Sequence, residues 1–437
     1  MDWPLALLII LGSFILLLMT GMPIVFCFMA VNIMGLYLFW GGTSGLGMLG
    51  SSIFATVGVF TMTAVVLFVF MGIVLFRSGI APNMLNALDM WVGRLPGRLS
   101  LIAVGAGALL GTLTGAEFIT VAILGKGLMP EMEKQGYKKE MSMGPILGSG
   151  GLAILIPPSD LAVIMGAIGR FSVGKLLMGI IMPGLVMAAV FALYIIPRCM
   201  FQPSVAPPYR KPTVPMSEKL TATAKHVLPV FIIVFLVIGV IFLGVATPTE
   251  ASGTGALGML LLAAAHKGVN REMLKNTMVG TLEITVMVLF IIAGAAAFTQ
   301  ILAYTGATRG LVELFLALPV APIFIIVGTQ VLVVILGMFM DPVSLMMVTL
   351  PLFMPVIRAM GFDMVWFGVT MLISITIGAI SPPFGLSLFV MKGVASPGTT
   401  MGDIYRASLP WIALSLLVVA LVIAFPQIAL WLPALMY

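Results

Sequence analysis

Long apolar runs separated by short polar ones dominate the chain. In the first half they fall near 3–20, 22–40, 52–76, 99–130, 141–169 and 173–197. Since about 20 apolar residues span a bilayer, these runs predict membrane helices. The stretch 77–98 is more polar and reads as a helix lying along the interface. Two runs depart from a plain span. The first, 99–130, is interrupted by GTLTGA at Gly111 to Ala116. Each of its arms has about 13 residues and reaches about 20 Å, short of a hydrocarbon core about 30 Å thick. The second, 141–169, is long enough to cross but contains Pro157-Pro158. Proline inside a helix costs about 3 kcal/mol. Unpaired backbone groups survive at membrane depth only where protein or a wet cavity covers them.

The same pattern recurs. Adding 225 to a position carries Pro23 to Pro248, Pro130 to Pro355, Gly136 to Gly361 and Pro157-Pro158 to Pro382-Pro383. PEMEKQGY from Pro130 thus faces PVIRAMGF from Pro355, and with small slips RSGIA at Arg77 matches YTGAT at Tyr304. Prolines are common here, but four prolines and a glycine at one offset, including an adjacent proline pair, are not chance. The chain is expected to be two copies of one unit, 1–197 and 227–437, joined by a Pro-rich, basic linker over 198–226 that reads as a cytoplasmic connector. The second copy places a hairpin at about 320–355 and a broken helix at about 365–395.

Basic residues choose between two threadings. If 99–130 crosses and 141–169 turns back, the 21 Lys and Arg divide 14 to 7 between the two sides. If 99–130 is a re-entrant hairpin and 141–169 crosses as a discontinuous helix, only Arg170, Lys175, Arg309 and Arg358 fall on one side and the other 17 on its opposite. The positive-inside rule prefers the second and makes the rich side cytoplasmic, with both termini outside. Each unit then has five crossings, so its copy is inserted upside down. The predicted fold is an all-α polytopic membrane protein of two inverted repeats with re-entrant hairpins and discontinuous helices, the architecture of secondary transporters.

Composition agrees and narrows the alternatives. Of 437 residues 61% are hydrophobic and 8% charged, which excludes a soluble globular protein. The net charge of +6 expresses membrane orientation rather than nucleic-acid binding. Cys27 and Cys199 lie in unrelated segments and form neither a disulfide framework nor a metal motif. His226 and His266 are isolated in polar connections and read as solvated loop residues. Asp2 stands where a signal peptide needs basic residues, so the first helix is expected to stay. No P-loop, metal motif or activated Ser or Cys constellation is found, which argues against an ATPase or an intramembrane enzyme.

Six stretches carry a family resemblance. They are TGMPIVFCFMAV from Thr20, GTLTGAEFITVAILGKGLMPEMEKQGY from Gly111, LIPPSDLAVIMG from Leu155, GVATPTEASGTGALG from Gly244, GMFMDPVSLMMVTLPLFMPV from Gly337 and SPPFGLSLFVMKG from Ser381. In this order and spacing, over essentially its whole length, the chain resembles the large membrane subunit of tripartite ATP-independent periplasmic (TRAP) transporters. The resemblance implies a sodium-driven elevator carrier in a bacterial inner membrane, importing a small organic anion such as a carboxylate or sulfonate. It also implies a periplasmic substrate-binding protein and a small four-helix membrane subunit not fused to this N-terminus. A single-component organic-anion carrier of the same architecture is the alternative.

Sodium, the coupling ion, suits carboxylate, hydroxyl and carbonyl oxygens. One ion site is expected from Gly337, Asp341, Thr376, Gly378 and Ser381, and the other from Gly111, Thr112, Thr114, Gly115 and Ser159. Thr114, Glu117, Pro157, Pro158, Pro382 and Pro383 are the expected cargo-facing residues, beside exposed backbone and half-helix N-termini. The family's first hairpin tip is usually serine-rich, so Glu117 is a departure and either a proton-linked or a structural acid. Each hairpin tip thus carries one acid, Glu117 or Asp341. Asp341, followed by Pro342, also fits a helix N-cap. Asp160 reads as a cap of the second half-helix, Glu250 as a helix-start residue, and Glu283 as an acid at the start of a span. The 35 methionines suit adaptable packing between sliding and fixed parts, or ordinary core and lipid-facing positions.

Overall fold

The computed structural model describes residues 2–92, 95–114, 117–207, 214–266 and 268–436, without the side chains of 112–114. Those residues are helical throughout, with no strand among them. The first half runs α1 (Trp3–Met19), α2 (Ile24–Phe39), α3 (Thr43–Val57), α4 (Met62–Arg77) and α5 (Ile80–Val92). It continues through α6 (Arg98–Thr114), α7 (Glu117–Lys134), α8 (Lys139–Leu155), α9 (Asp160–Gly169), α10 (Val173–Gly179) and α11 (Ile181–Phe201). After α12 (Met216–His226) come α13 (Leu228–Phe242), α14 (Pro248–Ala265), α15 (Arg271–Tyr304), α16 (Ala307–Ala317), α17 (Pro322–Gly337) and α18 (Pro342–Ala359). The chain closes with α19 (Met364–Ala379), α20 (Leu386–Val394), α21 (Met401–Ala424) and α22 (Gln427–Ala434). Starts of α7 and α18, and of α8 and α19, are separated by the same 225 positions as the Pro-Pro pairs. Among the described residues four helices are long and apolar enough to cross a membrane alone, and seven spans result if each bent pair counts as one.

Three segments differ from the sequence expectation. The run 52–76 is two helices, α3 and α4, bent by 57°. Its glycine-rich approach, GGTSGLG from Gly41, reads as a connection yet is helical from Thr43. A Cβ on Gly45 would lie 2.6 Å from the Leu36 carbonyl oxygen, so glycine lets α3 fold back on α2. The linker is not a plain connector, because α12 docks on α5, where Trp91 Nε1 donates to Thr223 Oγ1 at 2.6 Å. Its basic stretch 208–213 lies outside the described residues. His226 and His266 are not isolated: helix ends bring their rings to 6.0 Å.

Long-range contacts gather the basic residues at two ends. Lys139 pairs with Asp403 at 2.8 Å and Arg198 with Glu140 at 3.9 Å, while Gly97, beside Arg98, packs on Cys199. Away from these, Arg358 donates to the Gly169 carbonyl at 3.4 Å, next to Arg170. Two of the four residues assigned to the poor side, Arg170 and Arg358, are therefore neighbours.

The packing has an inner group and a flank. On the flank Phe14, Phe28 and Phe298 interlock α1, α2 and α15, with centroids 4.8 to 5.7 Å apart. Phe235, Leu236 and Leu261 stay exposed there, as lipid-facing residues should. In the inner group α8 and α19 are buried almost along their length. Small residues bring the helices together: Gly144 and Gly148 of α8 lie under the Trp411 indole of α21, and Gly107 of α6 faces Ser149. Without a hydrophobic drive between helices in lipid, such small-residue contacts supply the packing. Gly107→Ala would put a Cβ 2.8 Å from the Ser149 carbonyl oxygen, whereas a Cβ on Gly105, two residues earlier, meets nothing within 4 Å. Thermal unfolding should show Gly107→Ala destabilised by about 1–3 kcal/mol and Gly105→Ala unchanged or stabilised by up to about 1 kcal/mol.

Candidate functional site

Both Pro-Pro pairs interrupt helices. The first break lies between α8 and α9, which diverge by 46°. Pro157, Pro158 and Ser159 are buried. Ser159 is the N-cap of α9, its Oγ accepting from Ala162 N at 3.3 Å. Asp160 is the first residue of that helix rather than its cap, and its Oδ1 accepts from Leu161 N at 2.7 Å. The exposed end of α8 is covered by α11, where a Cβ on Gly184 would lie 2.8 Å from the Leu155 carbonyl oxygen.

The second break spans 380–385, between α19 and α20. Ser381 N donates to the Gly378 carbonyl at 3.1 Å, and Ser381 Oγ to Ile377 O at 2.6 Å. Pro382 is half-buried and Pro383 exposed, its carbonyl taken by the Tyr405 hydroxyl at 2.7 Å. The Pro157-Pro158 and Pro382-Pro383 bonds are both cis.

Each break is met by a hairpin. At the end of α17, Gly337 presses on Gly378, so that a Cβ on Gly378 would lie 2.7 Å from the Gly337 Cα. At the end of α6, Gly111 presses on Ala153, where a Cβ would meet the Ala153 nitrogen at 2.9 Å. Glycine is required at both because backbone meets backbone. The helices that lead into the two breaks also meet: a Cβ on Gly151 of α8 would lie 3.2 Å from the Thr376 Cβ of α19. Phe339, in the turn of the second hairpin, lies 5.7 Å from Phe384 across the break.

The acids at the two tips are not equivalent. Asp341 is half-buried and caps α18, its Oδ1 accepting from Ser344 N at 3.0 Å. It is not hydrogen-bonded to Thr376 or Ser381, whose hydroxyls close on their own helices. Glu117 begins α7 and is 2% exposed. Its Oε1 accepts from the Ser387 hydroxyl at 2.7 Å, in the first turn of α20, while Oε2 is buried without a partner among the described residues. Thus Gly337 with Gly378, and Gly151 with Thr376, are brought together as one cluster. Gly115 and the side chains of Thr112 and Thr114 lie outside the described residues. Glu250 forms a capping box with Thr247, and Glu283 is exposed in the first half of α15, ahead of its apolar run. Sequence reasoning missed Ser387, Gly151 and Tyr405. Ser387 had a signal, a lone hydroxyl one turn beyond the Pro-Pro pair in an otherwise apolar half-helix.

The hairpin arms are longer than the about 13 residues expected for the first hairpin: α6, α7, α17 and α18 run 17, 18, 16 and 18 residues, and α18 is itself long and apolar enough to cross a membrane. Broken helices met by two helical hairpins, inside a multi-pass helical bundle, are the arrangement of discontinuous-helix membrane transporters. Residues 11–428 match the family model of the tripartite ATP-independent periplasmic transporter, DctM component, and the chain belongs to that family. It is 30% identical to the C4-dicarboxylate TRAP transporter large permease DctM of Vibrio cholerae, over 96% of each chain. Identity to the ectoine TRAP transporter large permease TeaC of Halomonas elongata is 28%, covering 97% of this chain and 98% of that one. In three dimensions the chain resembles the YdaH transporter of Alcanivorax borkumensis, with a TM-score of 0.66, 15% identity and 91% of each chain covered. These relatives are transporters and permeases, not enzymes.

The Glu117–Ser387 contact ties the two halves of the chain. Removing one partner of a buried hydrogen bond costs about 1–3 kcal/mol. Ser387→Ala should therefore lower thermal stability. In a double-mutant cycle with Glu117→Gln the two changes should be less than additive, with a coupling of about 0.5–3 kcal/mol.

Proposed function

We propose that this chain is the ion-coupled permease of a tripartite carrier. It imports a small organic anion, a carboxylate or sulfonate, by sodium symport, using an elevator movement. The observation that carries this reading is the seating of each hairpin on a helix break through Gly111–Ala153 and Gly337–Gly378. Broken helices expose carbonyls that bind a cation and amide groups that bind an anion. The sodium ligands are drawn from Gly337, Asp341, Thr376, Gly378 and Ser381 at one tip, and from Gly111, Thr112, Thr114, Gly115 and Ser159 at the other. Cargo lies between the tips, against Thr114, Glu117 and the two Pro-Pro breaks.

The repeated helix order and the 225-residue offset support two repeats, inverted by the odd number of crossings. With 17 basic residues on one side, that side is cytoplasmic and both termini face the periplasm of a bacterial inner membrane. The hairpins and breaks move as one body against the flank that carries α1, α2 and α15. Cargo arrives from a periplasmic binding protein, and a small four-helix membrane subunit completes the complex, as the word tripartite in the family's description suggests.

Sodium binding can be tested without knowing the cargo. A ligand of the folded state alone adds about 2.7 kcal/mol at a hundredfold excess over Kd. Thermal unfolding in sodium against choline, at equal ionic strength, should show a saturable, sodium-specific rise that Asp341→Asn weakens more than Glu117→Gln does. Equal sodium affinity in the wild type and Asp341→Asn would remove Asp341 from the site.

A further inference from the structure

Glu117 leaves one carboxylate oxygen buried and, among the described residues, unpartnered at the first hairpin tip, in the region read above as the cargo site. Such a group is costly, and an unpaired buried charge more so. Among the described residues no charged side chain is hydrogen-bonded to it. The helices packed on α7 are α6, α8 and α20. Their charged residues are Arg98, Lys139, Glu140 and Lys392, none hydrogen-bonded to Glu117. Lys139 and Glu140 open α8, about 10 residues or about 15 Å from Gly150 at 1.5 Å per residue, and Gly150 is the α8 residue against Glu117. Lys392 is turned to the Thr399 carbonyl. On α7 itself Lys126, Glu131, Glu133 and Lys134 lie more than two turns along the helix. The immediate neighbours are Val121, Gly150 and the Ser387 hydroxyl.

The Ser387 side of this pair is the N-terminal turn of α20, whose free amide groups favour an anion. An acid acceptor and an anion-favouring helix start therefore stand side by side in one buried place. Together they match a molecule that carries opposite charges close together.

We propose that the cargo is a small zwitterion: its carboxylate or sulfonate faces the start of α20, and a protonated nitrogen on the same molecule pairs with Glu117. This deepens the proposed function and rests on its placement of the cargo. A compact dianion meets repulsion from Glu117 and is disfavoured, which is discrimination by an unfavourable contact as well as a favourable one. A site with a buried polar group also rejects analogues that leave that group unpaired.

The test uses the full chain in detergent and matched probes that differ by one ammonium group: aspartate against succinate, β-alanine against propionate, and taurine against ethanesulfonate. Thermal unfolding is recorded against concentration, in sodium and in choline. At least one ammonium-bearing probe should stabilise the wild type with an apparent affinity ten-fold or more above its partner's. Glu117→Gln should abolish that preference while Gly105→Ala, whose added Cβ meets nothing within 4 Å, retains it. Equal responses within every pair, a preference for the unaminated member, or no response to any probe would overturn the proposal. So would a loss of the sodium shift in Glu117→Gln without any probe preference, because Glu117 would then be an ion ligand. Absence of a sodium shift in the wild type, with the ammonium preference intact in choline, would instead fault the sodium symport reading alone.

Discussion

Unpaired backbone at membrane depth is the constraint on which this molecule turns. A helix broken at Pro157-Pro158 or Pro382-Pro383 frees carbonyls and amides that lipid cannot satisfy. The chain answers with close cover. Gly111 lies on Ala153, Gly337 on Gly378 and Gly184 on the carbonyl end of α8. Each contact requires a missing or minimal side chain, so the glycine content of the inner helices and the proline breaks belong to one solution. Covered in this way, a break becomes a place where backbone dipoles can be aimed at an ion or an anion without being exposed to lipid.

The two halves solve the problem with the same helix order but not with the same surroundings. The first break is buried, and its half-helix is capped by Ser159. The second is open at Pro383 and Phe384, steadied by the Tyr405 hydroxyl and by Phe339 from the facing hairpin turn. The acids differ in the same sense. Asp341 serves its own helix, whereas Glu117 reaches across to the other half through Ser387. The two breaks, which share one spacing in the sequence, therefore carry different side chains.

Much of this was legible in the sequence, because proline and glycine report backbone directly. The Pro-Pro breaks and the 225-residue offset are visible as spacing, and Asp341 before Pro342 reads as the N-cap that it is. The errors fall where composition and tertiary contact disagree. GGTSGLG lies between the expected spans, yet it is helical from Thr43, and Gly45 allows that helix to pack on α2. Asp160 resembles a cap, but Ser159 one residue earlier takes the role because its backbone is extended and Asp160 is already helical, which lets the Ser159 hydroxyl accept from Ala162 N. The pairing of His226 with His266, and of Glu117 with Ser387, joins residues 40 and 270 positions apart, and no local pattern encodes such distances.

The most direct measurement of the account is hydrogen exchange at the breaks, with sodium or choline as the only difference. Amides freed by a broken helix exchange according to how often their cover opens. If the hairpins close on the breaks around sodium, protection should rise in residues 338–341 and 380–385 and around Ser159, while the flank helices α1, α2 and α13 stay unchanged. Protection that is the same in both salts, or that rises evenly over the whole chain, would contradict the claim that the covered breaks are the ion sites.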